Sequence, residues 1–370
     1  MSEYKMTRLG DVCTFQGGVN IDRSLLNEDG TEGVPVILHS DIEKGQVSTY
    51  YTGDYSKEQL VHNGEYLVSL TDRLSIEPWN GEDALFSHHF CRLCPDTEQL
   101  NPLYMAYALS YIFCKLEDDE NAGILEDDVS IDDLKDTVIP LPSLEEQELI
   151  ADVLRNAYDL MNLQFEQLDK SEDLVAARFT ELFGQVDIND RGWEVKPLGA
   201  LTERLKSRSL LAKDRVPGEY PYFDSTGIVD SVDEYLFDED LLLVAKVGSI
   251  LTSGDAPIAR AVHGKIWASD LVHVLRINPD AGVIPEYLEM VINNLDITSS
   301  LRGGVMPKLP KSALNELPIP IPPMELQIEY KGFLSTIDEQ CEKTAQRINE
   351  TSQICHSLNQ RYFESAISYE

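Results

Sequence analysis

Residues 139–147 read Ile139-Pro140-Leu141-Pro142-Ser143-Leu144-Glu145-Glu146-Gln147, and no further Pro or Gly follows until Gly184. Ser143 with Glu146 three places on has the pattern of a capping box, which predicts a helix N-cap at Ser143. The two prolines upstream keep the helix from starting earlier, and Gly184 supplies a C-terminal stop. Between these limits Ala151, Leu154, Tyr158, Met161, Phe165, Leu168, Val175, Phe179 and Leu182 recur in steps of three and four, with Glu172 the polar interruption. That is a heptad seam. At 1.5 Å per residue such a helix is about 60 Å long. A compact domain cannot cover that length, so the pattern demands a partner helix.

The partner lies in the same chain. Ile319-Pro320-Ile321-Pro322-Pro323-Met324-Glu325-Leu326-Gln327 repeats the first stretch at an offset of 180 residues, Pro140 onto Pro320 and Gln147 onto Gln327. The seam repeats with it: Leu154, Met161, Leu168 and Val175 map onto Leu334, Cys341, Ile348 and Cys355. The second helix is more polar and is predicted to run to about Tyr362. Leu9-Gly10 opens one half and Leu198-Gly199 the other. The chain reads as a tandem duplication. The segments expected are a globular domain over 1–143, a central long helix and linker over 144–190, a second globular domain over 191–322 and a C-terminal long helix over 323–370. The fold class expected is α+β: two mostly-β domains, each followed by a long helix, the two helices packed as an antiparallel coiled coil.

Within the first domain Val34–Leu38, Glu65–Leu70 and Phe90–Leu93 are short strand candidates, separated by turn signals such as Gly17-Gly18 and Asn80-Gly81. Asn101-Pro102-Leu103-Tyr104 begins a helix with Pro near its start. The second domain follows the same order, with strand candidates at Tyr220–Phe223, Leu241–Ala245 and Leu271–Arg276 and a helix start at Ile284-Pro285-Glu286-Tyr287.

With 370 residues, 42% of them hydrophobic, the chain can bury two real cores. No apolar run reaches membrane-spanning length and Met1–Lys5 has no signal-peptide character, so the expectation is a soluble, cytoplasmic protein without a membrane partner. The six cysteines form no disulfide framework. Cys341 and Cys355 fall on the helix seam. Cys91-Arg92-Leu93-Cys94, near His88 and His89, lacks the second ligand pair a zinc site needs; a strand fits its alternation better, and no metal is expected.

Net charge is −35, unevenly spread. Residues 1–143 carry 9 basic and 27 acidic side chains, residues 191–322 carry 14 and 18. This balance argues against a simple basic nucleic-acid binder. A local positive patch, or basic partner subunits, can still attract DNA.

With both proline gates in view, the chain resembles the specificity subunit of a type I restriction-modification system. The match rests on Leu9-Gly10 and Trp193–Gly199 at the domain starts, on Gly303-Gly304, and on the two gates with their Glu-Glu-Gln and Glu-Leu-Gln endings. The resemblance implies a non-catalytic DNA-reading scaffold whose two target-recognition domains each contact half of a split double-stranded DNA target. The helix pair would set the spacing. Two methyltransferase subunits would dock on it and use S-adenosylmethionine, a cofactor expected on those partners and not on this chain. Restriction and translocase subunits would join for cleavage. The sequence departs from the family pattern at Asn121–Asp128, which is acidic where Gly303–Lys311 is basic, so a phosphate would be repelled there.

The candidate DNA contacts of the second domain are Arg204, Lys206, Arg208, Lys213 and Arg215, with Lys308 and Lys311 near its end; those of the first are Arg23, Lys44, Lys57 and Arg73. Arg suits guanine edges and phosphates, Lys suits phosphates. Solvated loops are the alternative for each. Ser69, Thr71 and Asn80 are possible base readers, while Tyr220, Tyr222 and Trp267 read first as strand core. Asn101-Pro102-Leu103-Tyr104 is one letter from an adenine-methyltransferase motif, but no glycine-rich loop after a strand accompanies it, and its counterpart at Ile284 keeps only Pro and Tyr. Glu194-Val195-Lys196 after Asp187 and Asp190 sits in a domain-opening segment and not in a nuclease site. No phosphate-binding Gly-Lys loop is present. The second reading of the chain is an acidic interaction or decoy protein of the same fold, with weak or lost DNA binding.

Overall fold

The computed structural model of the chain describes residues 4–27, 32–38, 41, 47–71, 74–118, 129–254, 256–304 and 306–367. The chain divides into two compact units, Met1–Phe165 with Gln346–Glu370, and Glu166–Ala345. Each long helix contributes to both.

The first unit contains β1 (Lys5–Arg8), β2 (Cys13–Gly17), β3 (Leu26–Asn27), β4 (Val34–Ile37), β5 (Tyr50–Tyr51), β6 (Leu60–Val61), β7 (Tyr66–Ser69), β8 (Ser75–Pro78), β9 (Ala84–Phe86), β10 (Phe90–Pro95) and β11 (Val138–Leu141). They form a β1–β11 ribbon, a sheet in the order β2-β10-β7-β8 and a sheet in the order β3-β5-β4-β9-β6. The second unit contains β12 (Glu194–Pro197), β13 (Thr202–Leu205), β14 (Pro217–Asp224), β15 (Gly227–Val232), β16 (Phe237–Asp238), β17 (Leu241–Ala245), β18 (Ala259–Val262), β19 (Lys265–Ala268), β20 (Val272–Ile277) and β21 (Pro318–Ile321). Its ribbon is β12–β21 and its sheets run β13-β20-β17-β18 and β15-β14-β19-β16. The first sheets match strand for strand, and each second sheet holds a parallel pair at the same place, β4–β9 and β14–β19.

The repeated motifs now have physical reasons. Each proline gate is a strand, and it pairs antiparallel with the strand that opens its unit, Thr7 opposite Ile139 and Lys196 opposite Ile319. Leu9 and Leu198 follow those opening strands. Both are buried and donate their amides to Thr137 O at 2.8 Å and Leu317 O at 2.9 Å. The glycine after each leucine lets a short helix come close: a Cβ on Gly199 would lie 2.8 Å from Asn315 Cβ, and one on Gly10 would lie 3.1 Å from Lys135 Cβ.

The glutamine that ends each gate is a latch. Gln147 is fully buried; its Oε1 accepts from Asn101 N at 2.8 Å and its Nε2 donates to Gln99 O and Pro142 O, both at 2.9 Å. Gln327 repeats this with Ile284 N at 3.0 Å, Gly282 O at 2.9 Å and Pro322 O at 3.0 Å. The shared Pro-x-Tyr completes the joint: Tyr104 donates to Pro140 O at 2.8 Å, and Tyr287 to Pro320 O at 3.0 Å. Asn101 caps the helix Pro102–Asp118 by accepting from the Leu103 and Tyr104 amides. Buried polar groups are thereby satisfied where helix, gate and ribbon meet.

The central helix spans Leu144–Phe183 and the C-terminal helix Met324–Ile367, five residues beyond the expected end. Gly184, at φ 76°, provides the left-handed stop. Ser143 Oγ accepts from Glu146 N at 3.3 Å, but the reciprocal half of the capping box is not made; the Glu146 carboxylate faces Tyr4 OH instead.

The two long helices pack antiparallel. In the first unit Asn359 Nδ2 donates to Tyr158 Oη at 2.7 Å, and in the second Arg178 bonds Glu329 while Phe179 and Phe183 pack on Tyr330 at 5.5 and 5.6 Å. The seam differs from the sequence reading in its middle. Gln164 is buried and Ser171 half-buried, whereas Phe165 is 48% exposed and Glu172 exposed. The seam takes three residues and then four after Met161, the order that Cys341, Thr344, Ile348 and Thr351 follow in the other helix. Three then four and four then three both return to Leu168 and Val175, so heptad spacing admits either residue; the structure turns Gln164 and Ser171 inward.

Candidate nucleic-acid interface

In the second unit the strand ends after β13 and β17 carry cations to one edge of the sheet. Arg204 lies in β13 opposite Leu275, and both it and Lys206 are exposed. Lys246 follows β17; its amide donates to Leu271 O at 2.9 Å and its carbonyl accepts from Leu309 N at 2.9 Å. Lys308 is bridged to Val247 and to Arg302. At the centre sits His273, buried, with Nε2 at 2.9 Å from Leu309 O. Burial holds its imidazole below the ordinary value against that hydrogen bond, and the Arg204 and Lys246 charges add to the effect. The structure thus brings Arg204 and Lys246 close to a buried histidine, with Lys308 next in sequence to the Leu309 carbonyl that His273 meets.

The edge continues toward the other sheet. Lys246 Nζ donates to Asp270 O at 3.0 Å, and the Asp270 carboxylate bonds Ser209. Beside it the Arg208 guanidinium lies over the Trp267 ring at 5.0 Å, while Trp267 Nε1 donates to Arg208 O at 2.7 Å. Arg215 lies over Tyr222 at 4.2 Å and pairs with Asp230 at 3.2 Å, and Lys265 sits over Tyr220 and Tyr235. Tyr222 and Trp267 are core residues. Arg208 and Arg215 are therefore held by aromatic faces. Arg204, Lys206, Lys213, Lys308 and Lys311 have no ion pair among the described residues. Lys213 lies in the turn of 3-10 helix Ala212–Asp214, and Lys311 starts the helix Lys311–Glu316.

The sequence reading missed Lys246, Arg302 and Lys265. The available signal for Lys246 was its position, the first charged residue after the wholly buried strand Leu241–Ala245.

The first unit builds the same frame without those charges. Phe15 stands opposite Leu93 as Arg204 stands opposite Leu275. Leu70 donates its amide to His89 O as Lys246 does to Leu271 O, and Val19 donates to Phe86 O as Arg208 does to Ala268 O. Cys91 takes the place of His273, each opposite a valine, Val68 and Val244. Burial pushes the Cys91 thiol up to about 11. Of the first unit's candidates, Arg23 opens a 3-10 turn and Lys57 another, both exposed. Lys44, Arg73 and the acidic stretch Asn121–Asp128 lie outside the described residues. Ser69 is buried and donates to Thr71 O at 3.1 Å, which leaves it no reach to a base. Among the described residues no helix is long and apolar enough to cross a membrane.

Comparison with known proteins agrees with the duplicated plan. The family model described as the type I restriction modification DNA specificity domain matches residues 1–171 and again 190–353. The chain is 32% identical over 146 residues to a putative type I restriction enzyme specificity subunit, S.HindORF215P, of Haemophilus influenzae, covering 39% of this chain and 37% of that protein. It is 28% identical over 123 residues to the type I restriction enzyme EcoBI specificity subunit of Escherichia coli, covering 33% and 26%. The matched stretches span well under half the length of either curated relative. Two solved structures share the fold: the type I restriction-modification S subunit from M. genitalium, with TM-score 0.60, 15% identity and coverage of 98% and 97%, and a chain from a study of complex assembly and conformational transition of the type I R-M system, with TM-score 0.58, 16% identity and coverage of 98% of each chain.

Proposed function

The chain belongs to the type I restriction modification DNA specificity family, and from that premise we propose that it reads a bipartite double-stranded DNA target and scaffolds the methyltransferase and restriction subunits of its complex. The observation that carries the DNA-reading half is the positive edge of the second unit, Arg204 and Lys246 close to His273 with Lys308 next to Leu309, which runs into the aromatic-backed Arg208 and Arg215. Arg204, Lys246 and Lys308, without an ion pair among the described residues, suit phosphates, and the Arg208 guanidinium stacked on Trp267 keeps its fork oriented for base edges.

Each unit reads one half-site in this proposal. Two modest DNA contacts carried by one chain reinforce each other by effective concentration. The chain performs no chemistry itself and carries no cofactor. Adenine methylation with S-adenosylmethionine belongs to the partner subunits, and the complex works in the cytoplasm.

The test is co-expression with the cognate methyltransferase subunits followed by methylome sequencing. A split motif bearing adenine marks is expected, lost when Arg204 and Lys246 are both changed to Glu. Absence of any such motif with the unmodified chain, in an assembled complex, would sink the reading in favour of an acidic interaction protein of the same fold.

A further inference from the structure

The first unit holds a half-open cavity of about 620 Å³ whose polar lining is Arg23, Thr49, Ser87, His88 and His89, opposite an aliphatic side that includes Ile21. Among the described residues no carboxylate lines it, although residues 1–143 carry 27 acidic side chains. Every one of those five side chains can donate a hydrogen bond. Ser87 is 5% exposed, and among the described residues neither its Oγ nor the buried His89 Nδ1 has a hydrogen-bond partner. Leaving such groups unpaired is unfavourable, so native folds rarely do it without a role for them.

The backbone holds these groups in place. Ser87–His89 forms the tight turn from β9 to β10, with Phe90 N donating to Ser87 O at 3.0 Å. His88 N donates to Val19 O at 3.0 Å and His89 O accepts from Leu70 N at 2.8 Å, so the turn is pinned on two further sides. A Cβ on Gly18 would lie 2.0 Å from Ser87 O, so only glycine allows that approach. The two imidazoles lie with centroids 4.0 Å apart. Asp22, next to Arg23, spends its carboxylate on Ser24 N and Oγ, and Arg23 has no ion pair among the described residues.

The second unit closes the equivalent turn on itself. Ser269 Oγ accepts from Leu271 N at 3.3 Å, and Asp270 is taken up by Ser209 and Lys246. Among the described residues the same turn is thus tied into its own surroundings in one unit and left with unpartnered polar atoms in the other.

We propose that this cavity is a phosphate site, in which phosphoryl oxygens accept from Arg23, Thr49, Ser87 and the two imidazoles. A phosphodiester of DNA and a free phosphate or nucleotide offer the same oxygens. The site stands on the cavity's own chemistry and does not depend on the positive edge of the second unit.

The test titrates the full chain, histidine-labelled, with inorganic phosphate, with deoxyadenosine monophosphate and with a mixed-sequence DNA duplex, following the imidazole resonances of His88 and His89. A saturable shift with at least one of the three is expected, weakened at least about tenfold by Arg23→Gln and by Ser87→Ala, each of which removes a donor to an anion. A response to the duplex alone assigns the site to backbone phosphate, and a response to the small phosphates alone assigns it to a free ligand; both uphold it. No shift with any of the three, or shifts of equal affinity in variants whose melting temperature is unchanged, would overturn it. Failure here with duplex binding retained through the second unit would leave the DNA-reading proposal standing.

Discussion

Phe363, in the last turns of the C-terminal helix, packs its ring 5.5 Å from that of Tyr104 in the first unit. Phe183, at the end of the central helix, packs at 4.8 Å on Tyr287 of the second unit. The two phenylalanines are 180 places apart, the repeat offset. Each helix end therefore completes the core of the unit that its own repeat did not build. Phe363→Ala should destabilise the first, N-terminal unit by about 3–5 kcal/mol and leave the second largely intact. Hydrogen exchange should show protection lost in Pro102–Asp118 and kept in Pro285–Asn294; the reverse pattern would refute the closure.

Gln147→Ala and Gln327→Ala each strand one part-buried amide, one part-buried carbonyl and one buried carbonyl. The expected loss is roughly 1–3 kcal/mol for each group left without water or partner, measured by chemical denaturation. Tyr104→Phe, which strands the Pro140 carbonyl, should cost roughly 1–3 kcal/mol and leave adenine methylation by the assembled complex intact. A loss of methylation in a stably folded Tyr104→Phe complex would revive the methyltransferase-motif reading of Asn101–Tyr104.

His273 gives the second unit a pH dependence of known sign. Its folded pKa lies below the ordinary 6.5, with burial the leading cause. The unfolded chain then binds the proton more readily, so the contribution is whole above 6.5 and is lost as pH falls below it toward the folded value. Stability of the second unit should decline on acidification through that window. His273→Cys, which installs the residue that the first unit has at this place, should flatten that part of the profile.

The positive edge predicts an electrostatic asymmetry between the units. Removing Arg204, Lys246 or Lys308 should weaken DNA binding across sequences and lower the salt slope by about 1 for each phosphate no longer neutralised. Fluorescence anisotropy at several salt concentrations measures both.

Much of this was legible in the residues. The gates, the 180-residue repeat and the helix stop at Gly184 are local signals, set by proline, glycine and capping chemistry. The functions of the repeated letters were less visible. Ser143 with Glu146 read as a capping box, yet the neighbouring Gln147 is the part that works, as a latch to a segment some forty residues away in sequence. The middle of the seam was misread at Phe165, because apolarity favours it while the supercoil passes through Gln164. Of the candidate contacts, Arg204 and Lys308 came together with Lys246, which the sequence reading had passed over, since its neighbours across the sheet come from three separate stretches.

The amino-acid sequence alone determined that this is a duplicated chain of two mostly-β units and two long helices, because helix caps, breakers and heptads act between residues a few places apart. Only the tertiary structure decided that each helix end seals the other repeat's core, and that one unit carries a charged edge where its twin carries apolar residues. Those outcomes depend on strand register and on packing between residues far apart in the chain, and no local periodicity encodes which distant partner a buried face will meet.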